Sequence, residues 1–277
     1  MPSMTQTARA EPPQAFGWLM STFALGVRRN FANWPILVGR MLFYLVAMAV
    51  LSALWDAVAA QHLSGTLASA LPAGGLTLYV GVTEWITFST AAIHLRLEDD
   101  IRLGLLEPHL LRPKPYLLQK IADTLGDSFG RLLGLGAVAL IALALSGRAA
   151  PPAMAFVYLT VLGPLAVVIG VLLLTLTGLA AFWVRRVLPP YLIMQKSIFL
   201  LGGLFAPINL YPAWLYRFAV ATPFAANLFL AGNQALAPSA TAFAQALAAQ
   251  LFWIAMLGGL IALVWRAGLR KILREGL

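Results

Sequence analysis

Cysteine is absent from all 277 residues, which excludes disulfides, thiolate catalysis and cysteine-ligated metals. Charge is scarce as well: 10% of the residues are charged and 61% hydrophobic, with a mean hydropathy of +0.84, whereas soluble domains carry about 25% charged residues. A water-soluble globule is excluded. Neither a G-x-x-x-x-G-K-[ST] phosphate loop nor an H-E-x-x-H pair occurs, so hydrolysis of a nucleotide by this chain alone is not expected. The three histidines, His62, His94 and His109, fall in separate connections and offer no metal-ligand spacing.

What is present is long apolar sequence. Residues 149–184 and 218–265 contain no Lys, Arg, Asp or Glu, and roughly 20 apolar residues suffice to cross a bilayer. The pattern predicts an all-α integral membrane protein forming a single transmembrane domain. A polar tail, 1–13, lacks the apolar core and cleavage site of a signal peptide. In 14–34, Phe16, Leu19, Met20, Phe23, Val27, Phe31 and Trp34 recur three or four apart, with Arg28 and Arg29 elsewhere on the wheel. This is an amphipathic helix suited to the membrane surface, an interfacial elbow that Pro35 ends.

A six-span core follows over 35–265. Its transmembrane helices are expected near 36–57 and 76–95, from about 121 to 146, within 154–184, and near 191–210 and 244–265. Residues 211–238 are too apolar for a solvated loop, yet Pro212, Pro223 and Gly232 cut them into pieces of about ten residues, too short to span. Two short re-entrant or extracellular helices between spans five and six fit that stretch. The chain closes on a basic amphipathic tail, 266–277, containing Arg266, Arg270, Lys271 and Arg274.

Basic residues orient this arrangement. Of the 19 Lys and Arg, 17 fall on one set of alternating connections, and Arg148 and Arg217 alone on the other. By the inside-positive bias both termini are cytoplasmic and the span count is even. Topology thus accounts for the positive charge, which lacks the interleaved stacking aromatics of a nucleic-acid groove.

The largest cytosolic connection reads Arg96-Leu-Glu-Asp-Asp-Ile-Arg-Leu-Gly-Leu-Leu-Glu-Pro-His-Leu-Leu-Arg-Pro113. An acidic cluster (Glu98, Asp99, Asp100) precedes Ile101, Leu103, Leu105, Leu106, Leu110 and Leu111. Apolar residues with no membrane to enter suit either a docking surface or a short helix packed on this protein's own cytosolic ends. The segment resembles the I-x-x-G-x-L…L-L-R-P cytosolic loop of type-2 ABC exporter permeases. Phe182-Trp183, the run Gly202-Gly-Leu-Phe-Ala-Pro-Ile-Asn-Leu-Tyr-Pro-Ala-Trp214, Ala221-Thr-Pro-Phe224 and Trp265-Arg-Ala-Gly-Leu-Arg-Lys271 are similar to stretches of that family in the same order.

The resemblance implies the transmembrane subunit of an ATP-driven exporter in the bacterial inner membrane. It would be paired with an identical or homologous permease and served by two ABC ATP-binding subunits, which hold the ATP and magnesium. This chain itself would need no cofactor and perform no catalysis. The 96–113 connection would be the coupling helix, with Glu98, Asp100, Arg102, Leu105, Leu106, Leu110, Leu111 and Arg112 meeting the ATPase. A mostly apolar interior fits a lipophilic or amphipathic substrate, with Glu84, Asn209 and Gln250 as polar groups that either line a path or join helices. Glu84 stands near mid-span, where a carboxyl costs a few kcal/mol and raises a functional question. An ion-coupled secondary transporter is the alternative, but Glu84 has no second acid at similar depth and the two halves show no matching broken helices. A membrane scaffold without transport is the third reading.

Overall fold

A computed structural model describes residues 15–60, 75–110, 115–146, 151–204 and 206–275, and every regular element among them is helical. The tail 1–13, much of the connections around 58–75 and 147–153, and Leu111 and Arg112 lie outside the described residues. In chain order the helices are α1 (Ala15–Ala32), α2 (Trp34–Ala60), α3 (Gly75–Ser89), α4 (Ile93–Arg102), α5 (Glu107–Leu110) and α6 (Tyr116–Leu145). They continue with α7 (Ala153–Leu179), α8 (Leu188–Leu201), α9 (Ala213–Val220), α10 (Pro223–Asn227), α11 (Phe229–Leu236) and α12 (Ala240–Glu275).

Among the described residues five stretches are long and apolar enough to cross a membrane: Trp34–Ala57, Gly75–Arg102, Tyr116–Leu145, Ala153–Phe182 and Ala240–Arg274. The segment expected near 191–210 is shorter than its hydropathy promised. Helix α8 has 14 residues and rises about 21 Å at 1.5 Å per residue, against a hydrocarbon core of about 30 Å. Pro189 and Pro190 open it in the first turn, where a missing N–H costs nothing. The chain then turns at Gly203, whose φ of 67° lies in the left-handed region.

Helix α7 is the axis of the bundle. Two thirds of its apolar window, 67%, is buried inside the protein, against 11% for α2 and 17% for α12. It reads as apolar on every face because it is covered on every face. Glycines set the close crossings: a Cβ on Gly163 would lie 2.8 Å from the Trp85 ring of α3, and one on Gly178 would lie 2.9 Å from the backbone of His94 in α4. Helices α2 and α12 leave broad apolar faces outward, Leu42, Phe43, Val46 and Val50 on one and Phe252, Met256 and Leu263 on the other. These are surfaces for lipid or another apolar protein.

Helix α1 lies across α6 on Gly126 and Gly130, and Gly134, four residues further along the same stripe, faces Leu37 and Met41 of α2. A Cβ on Gly126 would sit 2.1 Å from the Phe23 carbonyl oxygen, and one on Gly26 would sit 2.5 Å from that of Asp123. The backbones therefore touch. Asn33 ends α1 as a turn and Pro35 falls in the first turn of α2, where the sequence placed the break.

Between α8 and α12 the sequence led us to expect two short helices cut at Pro212, Pro223 and Gly232. The structure has three. Pro212 caps α9 and Pro223 opens α10, but the last break is at Leu228, and Gly232 lies inside α11. Its role is packing: a Cβ there would meet the Tyr79 ring at 2.7 Å. The basic tail is likewise no separate element, since α12 runs unbroken for 36 residues.

Candidate functional site

The 90–120 region begins with a deliberate interruption. Thr83, Thr87, Ser89 and Thr90 all return their hydroxyls to backbone carbonyls three or four residues earlier, a habit that bends helices. The Ala91 N–H leaves the ladder and donates to Ser128 Oγ of α6 at 3.0 Å. Ser128 stands in Gly126-Asp-Ser-Phe-Gly130, which has G-x-S-x-G spacing, but it lies mid-helix and accepts this backbone bond. A nucleophile elbow requires a strand-to-helix turn, so the match carries no hydrolase chemistry.

Helix α4 resumes at Ile93 and buries Ile93, His94, Leu97, Glu98 and Ile101 along one face. His94 stacks on Tyr191 at 4.2 Å between ring centroids, an interior packing role. His109 sits beside Tyr116, and His62 lies outside the described residues. Among the described residues no three His, Asp or Glu side chains converge as a metal site.

After Arg102 the chain reverses through Gly104, with φ 68°. Leu103 N–H bonds to Asp99 O and Leu106 N–H to Asp100 O, closing the helix end. This reversal decides which leucines face outward. Leu103 and Leu105 are 65% and 48% exposed, whereas Leu106 is 1% exposed and packs in the main core beside Ile101, Tyr116 and Leu117. The resemblance implied that Leu106 meets the ATPase, whereas the left-handed glycine turns it inward. Leu110 closes α5.

The acidic cluster splits in the same way. Asp100 accepts from the Tyr116 hydroxyl and pairs with Lys120 at 2.6 Å, tying α4 to the start of α6. Glu98 is buried and pairs with Arg102 at 3.5 Å along the helix. Asp99 faces out. Behind them Tyr116 stacks on Trp265 of α12 at 5.7 Å, and Gly268 meets the Phe182 ring so closely that a Cβ would lie 2.2 Å from it. The leucine tip thus stands on a base drawn from α4, α6, α12 and the 3₁₀ turn Ala180–Phe182 that follows α7.

A second cluster joins α1, α4 and α6. Asp123 accepts from Arg29 at 2.9 Å and Arg96 at 2.8 Å. Asp127 accepts from Arg131 at 2.6 Å, Arg96 at 3.2 Å and Asn30 Nδ2 at 2.7 Å. The Asp123 carboxylate holds the Arg29 pKa above its ordinary value despite partial burial. Asp123, Asp127 and Arg131 are visible in the sequence as an i, i+4 row; Asn30 and Arg96 join them only through tertiary contact.

The polar residues read as either lining a path or joining helices lie on three different elements. Glu84 is half-buried on α3, within electrostatic range of Tyr44. Asn209 is exposed in a 3₁₀ turn, Ile208–Leu210. Gln250 is wholly buried and donates to Leu162 O at 3.2 Å and Ala226 O at 3.0 Å, so it joins helices rather than facing a passage.

Comparison with protein families matches residues 75–276 to the ABC-2 family transporter proteins. The chain belongs to that family. No curated protein matches it. As an ABC-2 protein it is a multi-pass membrane permease subunit of an ABC transporter, a family of transport components that in general associate with an ABC ATP-binding subunit. The match starts at α3 and so includes both the leucine tip and the broken helices α9–α11.

Proposed function

We infer that this ABC-2 permease works as one of a pair, identical or homologous, in an ATP-driven exporter of a lipophilic or amphipathic substrate across the bacterial inner membrane. Two ATP-binding subunits supply ATP and magnesium. Closure of those subunits on ATP favours one arrangement of the permease pair over another through differential contact, with no chemistry in this chain. The observation that carries the reading is the exposed Leu103–Leu105 tip on a base fixed by the Asp100–Lys120 pair.

On this reading Arg102, Leu103 and Leu105 enter a groove of the ATPase, and Leu110, Leu111 and Arg112 are further coupling residues of the same segment. Glu98, Asp100 and Leu106 act from behind by holding it rigid. The 17-to-2 distribution of basic residues supports cytoplasmic termini. Helix α1 serves as the interfacial elbow. Helix α8, which buries no residue within the chain, serves as a short sixth crossing, with α9–α11 folding back on the outer side; its uncovered faces suit the second permease. Glu84 borders the route at mid-depth.

The test is the double variant Leu103→Asp, Leu105→Asp. It should retain its own thermal stability yet lose co-purification with the ATP-binding subunit and nucleotide-driven transport. Apolar burial at about 25 cal/mol per Å² makes two such leucines worth a few kcal/mol. A double variant that assembles and transports normally would overturn the assignment.

A further inference from the structure

Where α1 turns into α2, a cavity of about 140 Å³ opens between them and α6. A water occupies about 30 Å³ in the liquid, so the space accommodates a tetrahedral oxyanion. Three arginines line it, Arg29, Arg40 and Arg131, with Asp127 as the carboxylate among its lining residues. Arg29 and Arg131 are bound to Asp123 and Asp127, which Arg96 also shares. The ensemble therefore sets four guanidinium groups against two carboxylates. Arg40 lines this half-open cavity but has no hydrogen-bond or ion-pair partner among the described residues. Asn30, also in the lining, is buried and its Oδ1 has no partner. Excess positive charge at close quarters is stable only with a counterion or with water.

The mouth of the cavity continues into an apolar track. Ile36 belongs to the lining, and Ile36, Phe43 and Val50, spaced by seven along α2, are all exposed. Gly39 adds open space on that helix, since nothing lies within 4 Å of where its Cβ would be. Trp34, exposed at the start of α2, is the residue type that sits at headgroup level. A basic polar cavity leading onto a long apolar helix face has the form of a phospholipid with headgroup and acyl chain.

We propose that this cavity is a binding site for an anionic glycerophospholipid, its phosphate held by Arg40 with Arg131 and Arg29, and an acyl chain lying along Ile36, Phe43 and Val50. Arg40 supplies the unpaired charge, and its planar fork suits two phosphate oxygens. Basic pockets between transmembrane helices are a known form of headgroup recognition. The bound lipid would bridge α1, α2 and α6 and complete the charge balance that the protein leaves open.

The experiment uses the full-length chain in detergent, titrated with phosphatidylglycerol, phosphatidylcholine or inorganic phosphate. It is read by thermal unfolding and by the mass of lipid retained in native mass spectrometry. Phosphatidylglycerol should be retained and should raise the unfolding temperature of the wild type and of Arg217→Gln, a control on α9. Arg40→Gln should weaken that binding about tenfold, the scale of one charge-assisted contact. Ile36→Glu, at an exposed position, should repel the phosphate and weaken binding to a similar degree, which keeps the proposal testable if the arginine variant folds poorly. Unchanged phosphatidylglycerol binding by either variant would overturn the proposal. So would equal protection by phosphatidylcholine, which removes the demand for net charge, or by inorganic phosphate at matched concentration, which removes the demand for a lipid.

Discussion

Replacing Gly126 with alanine adds one carbon at the tightest helix crossing among the described residues. That carbon would lie 2.1 Å from the Phe23 carbonyl oxygen, 2.9 Å from its carbonyl carbon and 3.1 Å from Gly26 Cα. All three are backbone atoms, so no rotamer relieves the clash. An ordinary carbon-to-oxygen contact is about 3.3 Å, and α1 must therefore lift from α6 by about 1 Å. Such a lift lengthens the Asn30–Asp127 bond of 2.7 Å beyond hydrogen-bonding range. Overpacking costs about 1–3 kcal/mol and a bond to a buried carboxylate about 1.5–3 kcal/mol, for a total of about 3–6 kcal/mol. In a chain of this size that is an unfolding-temperature loss on the order of 10 °C. The assay is thermal unfolding of the purified protein in one fixed detergent. Gly39→Ala is the internal control: its Cβ meets nothing within 4 Å, so it should be neutral or stabilising by about 0.5–1 kcal/mol through helix propensity. If Gly126→Ala unfolds within about 1 °C of the wild type, α1 does not rest on α6 as described.

Further outcomes follow from the same geometry. Asp100→Asn should keep a hydrogen bond to Tyr116 but weaken the link to Lys120, costing about 1–2 kcal/mol and loosening the 103–106 tip, measurable as faster amide exchange there. Gly203→Ala should destabilise by at least 1–2 kcal/mol because its φ of 67° is left-handed and the new carbon would meet the Tyr79 hydroxyl at 2.8 Å; an unchanged melting curve would count against that turn. Single cysteines placed at 105 and 217 in this cysteine-free chain should react with an impermeant reagent from opposite sides of the membrane, with 105 protected in intact cells. Labelling of 105 from outside would reverse the proposed orientation.

The long apolar helices were legible because crossing a bilayer leaves a signal of composition and length, which needs no tertiary information. The break before α2 was legible for a related reason, since Pro35 restricts the backbone locally. What could not be read was whatever depended on a partner far along the chain. Leu106 belongs to the same apolar run as Leu105, and only the left-handed turn at Gly104 separates them into core and surface. Gly232 looked like a breaker because its neighbour Tyr79 lies in another helix. Gln250 reads from the sequence as either path-lining or helix-joining, because the carbonyls that decide between the two belong to α7 and α10. Gly126, Gly130 and Gly134 at intervals of four announce close packing on that face of α6, but not that Gly126 and Gly130 receive α1 while Gly134 receives α2.

The rivet of Arg29 and Asn30 onto Asp123 and Asp127 has a consequence for how the protein is made. Its two halves are separated by 94 and 97 residues, so at about 5–20 residues per second the ribosome leaves α1 without its seat for on the order of 5 to 20 s. During that interval Leu19, Phe23 and Val27 have no α6 to cover them, while α2, α3 and α4 are already being laid down. An amphipathic helix can wait in the plane of the bilayer surface, whereas a fully apolar one would insert and be lost as a crossing. On the proposed reading of α1 as an interfacial elbow, its modest hydrophobicity matches that timetable: apolar enough to park, polar enough to be collected when α6 arrives.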